Sequence, residues 1–222
     1  MMTSSEDPRL AVISTARRMN AMGINVNKSG NVSVRGQLGI VEGFWITPTG
    51  IDYEELVPED IVFIAFNPDS AGRIHNLRLP SSEWLMHKKV YQRRPDVAAL
   101  VHTHSAHATA MACQDRSIPA FHYMVAAAGG DRIECAPYAL FGSEELADVA
   151  ARALSERNAC LLSHHGVLAA GSNLSKALKL AREVENLAQM YILTCQLGEP
   201  KVLTQVQMQE VLARFKHYGQ QK

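Results

Sequence analysis

Apolar residues recur along this chain with two alternating periods, and the alternation sets out its elements. After Asp7-Pro8, a natural helix start, Leu10, Ile13, Ala16 and Met19 fall at three-residue steps, predicting an N-capped amphipathic helix that ends near Gly23. Three short strand-like runs follow at 32–34, 43–47 and 61–66, separated by Gly- or Pro-containing turns, which predicts a meander. Pro80-Ser81-Ser82-Glu83 opens a second helix to about residue 94, and 97–103 reads as a buried strand. The second half repeats this grammar. A helix spans 143 to about 157, strands lie at 160–162 and 167–169, a long helix runs from 174 to about 196, and a last amphipathic helix from 205 to about 217. Strands in close succession with helices before and after predict a mixed α/β layer fold, and no internal repeat is visible.

Composition narrows the class of protein. The chain has 222 residues and 47% hydrophobic content, enough for one full core, and no linker or low-complexity block divides it, so a single domain over 1–222 is expected. Lys+Arg 22 against Asp+Glu 22 leaves no net charge, which argues against nucleic acid or an anionic membrane as the main partner. The N-terminal residues lack the basic and apolar regions of a signal peptide, and no apolar run approaches the ~20 residues of a membrane span, so a cytoplasmic protein is expected. Cys113, Cys135, Cys160 and Cys195 are widely spaced and read as buried free thiols.

Candidate chemistry centres on histidine. His102 and His104 lie two apart in a strand-like run and so share a face, and one of the adjacent His164 and His165 can supply a third imidazole from a second run. Such a set holds a catalytic metal ion with a position open to water or substrate. His107 is a lesser candidate. Glu83 has two readings, a helix-capping carboxylate favoured by the dipole or a general base beside the metal, and its i, i+4 spacing to His87 also allows a structural pair. Ser29-Gly30-Asn31, Thr47-Pro48-Thr49-Gly50 and Ser81-Ser82 offer backbone N–H groups and hydroxyls suited to an anion. A phosphate-binding G-x-x-x-x-G-K-[ST] loop, a nucleophile elbow, an activated cysteine and a Schiff-base lysine are all missing, which leaves activation by metal.

Six segments, in order over most of the chain, carry a family resemblance: Ser29-Gly30-Asn31-Val32-Ser33-Val34-Arg35, Ile46-Thr47-Pro48-Thr49-Gly50-Ile51, Leu79-Pro80-Ser81-Ser82-Glu83-Trp84, Val101-His102-Thr103-His104, Ile118-Pro119-Ala120-Phe121-His122-Tyr123-Met124 and His164-His165-Gly166. Together they resemble the class II aldolase/adducin family. The resemblance implies a three-layer α/β/α domain with a central, largely antiparallel sheet, assembled as a homotetramer with sites between subunits. It implies one Zn2+ per subunit on His102, His104, His165 and Glu83, with Glu83 doubling as proton-transfer base and His164 as the non-ligand neighbour. It further implies phosphate held by Gly30, Asn31, Thr49, Gly50, Ser81 and Ser82, an aldehyde pocket lined by Phe141, and catalytic tyrosines at Tyr123 and Tyr218. On local sequence alone these last three aromatic residues read as packing.

The implied reaction is retro-aldol cleavage of a ketose 1-phosphate, L-fuculose 1-phosphate or a deoxy or methylthio relative, through a metal-bound enediolate to dihydroxyacetone phosphate and an aldehyde. A pentulose-phosphate 4-epimerase or a sugar-phosphate dehydratase on the same fold, or an adducin-like interaction module without enzymatic activity, are the alternatives. The chain departs from the family pattern at Asn27-Lys28, where Gly-Thr is common, in a longer 67–78 segment and in its last residues.

Overall fold

The computed structural model describes residues 7–67 and 78–215. The 68–77 part of the long segment, the end of the last helix beyond 215 and Tyr218 therefore lie outside the described residues. Within them, six α-helices and seven strands form α1 (Pro8–Ala21), β1 (Asn31–Leu38), β2 (Val41–Ile46), β3 (Val62–Ala65), α2 (Trp84–Arg93), β4 (Ala99–Thr103), α3 (Ala106–Ala112), β5 (Cys135–Ala136), α4 (Glu144–Ala153), β6 (Ala159–Leu162), β7 (Gly166–Gly171), α5 (Leu174–Gln196) and α6 (Gln205–Phe215).

The strands make one sheet in the order β3-β2-β1-β4-β7-β6-β5, with β4 at its centre. Every pairing is antiparallel except β5 with β6. The expected meander is the β1-β2-β3 half of this sheet.

Alternation along the central strands sends side chains to two cores. Val32, Ala99, Val101, Val167 and Ala169 face α1, α3 and α5. Leu100, Cys160, Leu162, Leu168 and Ala170 face α2 and α4. Both faces are covered, so the molecule has three layers, and its central strands are apolar on both sides. Helix ends match the sequence cues: Asp7 accepts from Arg9 N, Ser143 from Leu146 N and Asn173 from Lys176 N, each satisfying a donor that the first turn leaves free.

Four elements differ from the sequence reading. Helix α4 stops at Ala153 rather than near 157. The short α3, the 3₁₀ segment Tyr123–Ala128 and the two-residue β5 were not expected. Seven alanine-rich residues carry too little periodicity to announce α3. Its N-terminus is held from afar, since Glu185 on α5 accepts from His107 N at 3.0 Å and from Ala108 N at 2.9 Å.

Candidate metal centre

The centre forms where β4 ends in mid-sheet. His102 is the fourth residue of β4, opposite Asn31 on β1 and Leu168 on β7, and it points to the α2/α4 side with Leu100. His104 follows just beyond the strand. His165 comes from the tight turn between β6 and β7. That turn needs His164 in the left-handed region, at φ 52°, an uncommon place for a residue other than glycine. Gly166 then starts β7 so close to β4 that a Cβ there would lie 2.4 Å from Thr103 O and 3.0 Å from His104 Cδ2. Glu83 completes the group from the start of α2.

The four side chains are convergent. One ligand atom from each of Glu83, His102, His104 and His165 lies within 4.8 Å of all the others. His102 Nε2 is 3.0 Å from His104 Nε2 and 3.0 Å from Glu83 Oε2, and His165 Nε2 is 3.0 Å from Glu83 Oε1. The three imidazoles stand nearly perpendicular to one another at 73° to 77°, like three faces at the corner of a cube.

These atoms fit a divalent cation on the chemistry of the donor set. His102 Nδ1 is 2.8 Å from Val167 O, a carbonyl that only accepts, so neutral His102 carries its proton on Nδ1 and presents a bare Nε2. Buried Glu83 Oε1 has no hydrogen bond, although it faces His165. Burial and the neighbouring His102 and His165 push His104 down to about 3, so it is an unprotonated ligand at neutral pH. Without a cation the charge balance is kept by a proton. Burial works against a charge on both His102 and Glu83, yet each prevails on the other: His102 is raised above the ordinary imidazole value, and Glu83 is held far below the carboxylate range by His102 and His165. A bound cation would take the place of that proton.

Glu83 does not cap its helix. It occupies the N-cap position of α2 but makes no side-chain capping bond, which overturns the capping reading. Nor does it pair directly with His87. The two are joined through Asn31, whose Nδ2 donates to Glu83 Oε2 at 2.9 Å and whose Oδ1 is 2.5 Å from His87 Nε2. His87 Nδ1 is 2.6 Å from Ser33 Oγ, which is 2.7 Å from the Tyr91 hydroxyl.

The proton positions in this chain follow from Glu83, which as a carboxylate can only accept. The Asn31 amide nitrogen must face it, so Asn31 Oδ1 accepts from His87 Nε2–H, His87 Nδ1 accepts from Ser33, and Ser33 accepts from Tyr91. Every donor in the relay is directed toward Glu83. The arrangement is a period match, in which Asn31 and Ser33 alternate on β1 against Glu83, His87 and Tyr91 at i, i+4 and i+8 on α2. Burial, with His102 close by, pushes His87 down to about 3 and keeps it neutral, as the relay requires.

The three segments read as anion-binding are brought together beside Glu83. Ser81 N donates to Thr47 O at 3.0 Å, Thr49 N to Leu79 O at 3.1 Å, and Lys28 Nζ to Gly50 O at 2.8 Å. Gly30 sits against β4, where a Cβ would come within 2.4 Å of His102 O, and its carbonyl accepts from the Tyr53 hydroxyl. Asn31 is 1% exposed and its side chain is engaged by Glu83 and His87, a role in positioning Glu83 that the sequence did not reveal.

A cleft of about 270 Å³ opens onto Glu83, His104 and His165, with Ser29 and Ser82 also in its lining and Tyr138, Phe141 and His164 as its aromatic wall. Phe141 is 65% exposed there, and Tyr138, not anticipated, is 62% exposed. Tyr123 does not line this cleft in its own chain. It is 45% exposed and packs against His122 and Phe215. His107 lies apart from the metal cluster and bonds Glu185 through Nδ1 at 2.7 Å.

Comparison with known proteins agrees with this geometry. The profile of the family described as Class II Aldolase and Adducin N-terminal domain matches residues 10–192. The chain is 50% identical over 209 residues to the L-fuculose phosphate aldolase of Escherichia coli strain K12, covering 94% of each. It is 47% identical over 211 residues to a 5-methylthioribulose-1-phosphate/5-deoxyribulose-1-phosphate aldolase of Rhodospirillum rubrum, covering 95% of this chain and 92% of that one. A solved structure of L-fuculose 1-phosphate aldolase superposes with a TM-score of 0.88 at 38% identity, covering 96% of this chain and 98% of that chain. From the convergent ligand set, the three-layer fold and these matches, the chain belongs to the class II aldolase and adducin family.

Proposed function

We propose that this protein is a zinc-dependent aldolase that cleaves a ketose 1-phosphate, L-fuculose 1-phosphate or a 5-deoxy or 5-methylthio relative, to dihydroxyacetone phosphate and an aldehyde. The observation that carries the reading is the meeting of Glu83, His102, His104 and His165 beside a cleft with serines and an apolar aromatic wall in its lining. A deoxy-sugar phosphate has the same two kinds of end. Its phosphate is assigned to the segments that carry Gly30, Asn31, Thr49, Gly50, Ser81 and Ser82, through the hydroxyls of Thr49, Ser81 and Ser82, and its apolar tail to Phe141.

When bound, the divalent ion supplies a Lewis acid that polarises the ketose carbonyl and stabilises the charge developing on its oxygen. The chain's residues then have separate tasks. His102, His104 and His165 hold the ion, with His102 fixed in orientation by Val167 O. Glu83, held as a carboxylate by the neighbouring His102 and His165 and oriented by Asn31, takes up the proton that leaves the C4 hydroxyl as the C3–C4 bond breaks and returns it to C3 of the triose half. Tyr123, from a neighbouring subunit, and Tyr218 are assigned to orienting that hydroxyl. The protein is assigned a homotetramer in which neighbouring subunits complete each site, a reading that the exposure of Tyr123 at 45% and Phe141 at 65% leaves room for. We place the enzyme in the cytoplasm; among the described residues no helix is long and apolar enough to cross a membrane.

The test is incubation of zinc-loaded protein with a panel of ketose 1-phosphates and enzymatic detection of dihydroxyacetone phosphate. Release of one triose phosphate per aldehyde from at least one of them is expected. An epimerised or dehydrated sugar phosphate in its place, or no reaction with any, overturns the proposal.

A further inference from the structure

Tyr138 and His164 line two clefts at once. One is the metal cleft, where they stand with Phe141 as its aromatic wall. The other is an adjoining open depression of about 910 Å³, lined besides by Cys135, Ala136 and Pro137 and by the hydrogen-bonded pair Ser163 and Asp115. The two rings meet edge-on, with centroids 6.1 Å apart and planes at 85°, so the pair stands as a partition between the clefts.

The partition has one fixed side and one free side. His164 is anchored by its backbone, since it sits at φ 52° in the turn that aims His165, and its N–H donates to Ala112 O at 3.2 Å. Tyr138 is 62% exposed and stands on the irregular stretch after β5.

We propose that the Tyr138–His164 partition sets the length of the aldehyde half that the site accepts, and that a substituent longer than a methyl group must pass Tyr138 into the adjoining depression. The inference rests on the aldolase reading above. A short tail ends against Phe141 and Tyr138 inside the metal cleft. A longer, soft tail such as methylthio enters the depression along its Cys135–Pro137 side, opposite in character to the polar Ser163–Asp115 pair, and its sulfur passes the ring edge of Tyr138, a favourable contact for a thioether.

The pair 5-deoxy- and 5-methylthio-pentulose 1-phosphate differ only in this tail, so the ratio of their kcat/KM values isolates it. Removing the ring in Tyr138→Ala opens the partition and is expected to raise the methylthio-to-deoxy ratio about tenfold, the discrimination a small apolar group commonly carries. Tyr138→Trp enlarges the partition and should lower the ratio. His164→Gly keeps the left-handed turn, which glycine adopts without strain, and should raise it as Tyr138→Ala does. Equal changes for both substrates in all three variants overturn the proposal while leaving the aldolase reading intact. Failure of the wild-type protein to release dihydroxyacetone phosphate from either substrate overturns both.

Discussion

Replacing Asn31 with alanine separates two roles for one residue. In the structure its side chain is 1% exposed, donates to Glu83 Oε2 at 2.9 Å and accepts from His87 Nε2 at 2.5 Å. The first is a hydrogen bond to a charged acceptor, worth about 1.5–3 kcal/mol, and loss of the second leaves a buried imidazole N–H unpaired at a cost of about 1–3 kcal/mol. The two share one side chain and are not additive, so a loss of about 3 kcal/mol is the working figure. At about 2–4 °C per kcal/mol for a chain of this length, Asn31→Ala should lower the melting temperature by roughly 6–12 °C. Glu83 is also released from its orientation, and removal of such a supporting partner commonly costs 10–100-fold in metal affinity. Calorimetry of the metal-free protein measures the first effect, and zinc competition against a chromophoric chelator the second. A variant that binds zinc as tightly as the wild type and loses only affinity for the sugar phosphate would refute the positioning role and leave Asn31 a phosphate contact alone.

Two further outcomes follow from the same geometry. His87 is held neutral and titrates only at about 3 in the folded protein, whereas the unfolded chain takes the proton near the ordinary 6.5. The unfolded state therefore binds more protons between these values, and stability falls as the pH drops through that window, by about 2 kcal/mol from this one group at pH 5. Urea unfolding at pH 7 and pH 5 should show a decline smaller by that amount in His87→Gln, and an identical decline would show that His87 is not the buried neutral group. Glu185→Ala removes the carboxylate that accepts from His107 N and Ala108 N at the start of α3, so it should cost about 1–2 kcal/mol in unfolding experiments. Zinc affinity should be unchanged, and a parallel fall in it would mean that α3 helps to aim His104.

The sequence displayed the layers and the ligands better than the connections between them. Period and turn cues placed α1 and α5, which each bury an apolar face and begin on a capping side chain, and the β1-β2-β3 meander, whose short runs are divided by Gly- or Pro-containing turns. The H-x-H spacing marked His102 and His104 because period 2 on a strand leaves little choice of geometry. The local pattern left His164 and His165 open and only the family resemblance pointed to His165; the φ 52° turn that aims it is something no local pattern shows. Glu83 looked like a cap because its position on α2 is the cap position, and only the approach of β1 shows its carboxylate turned to Asn31 and the histidines. The same approach hides Ser33 and Tyr91, since polar residues alternating on a strand look the same whether they face water or a buried helix. Tyr138 had no signal at all, being an aromatic residue in an irregular stretch that becomes part of a wall only when β5 pairs with β6.

The central claim is that the four convergent side chains form a metal centre on which carbon–carbon cleavage depends. Stepwise return of zinc to chelator-stripped protein, with bound metal and dihydroxyacetone phosphate release measured on the same samples, tests it most directly. Activity should rise in proportion to bound metal and stop at one equivalent per chain, and His102→Ala should neither bind at that stoichiometry nor recover cleavage. Full cleavage by the stripped protein, or recovery of activity by His102→Ala at one equivalent, would contradict the account.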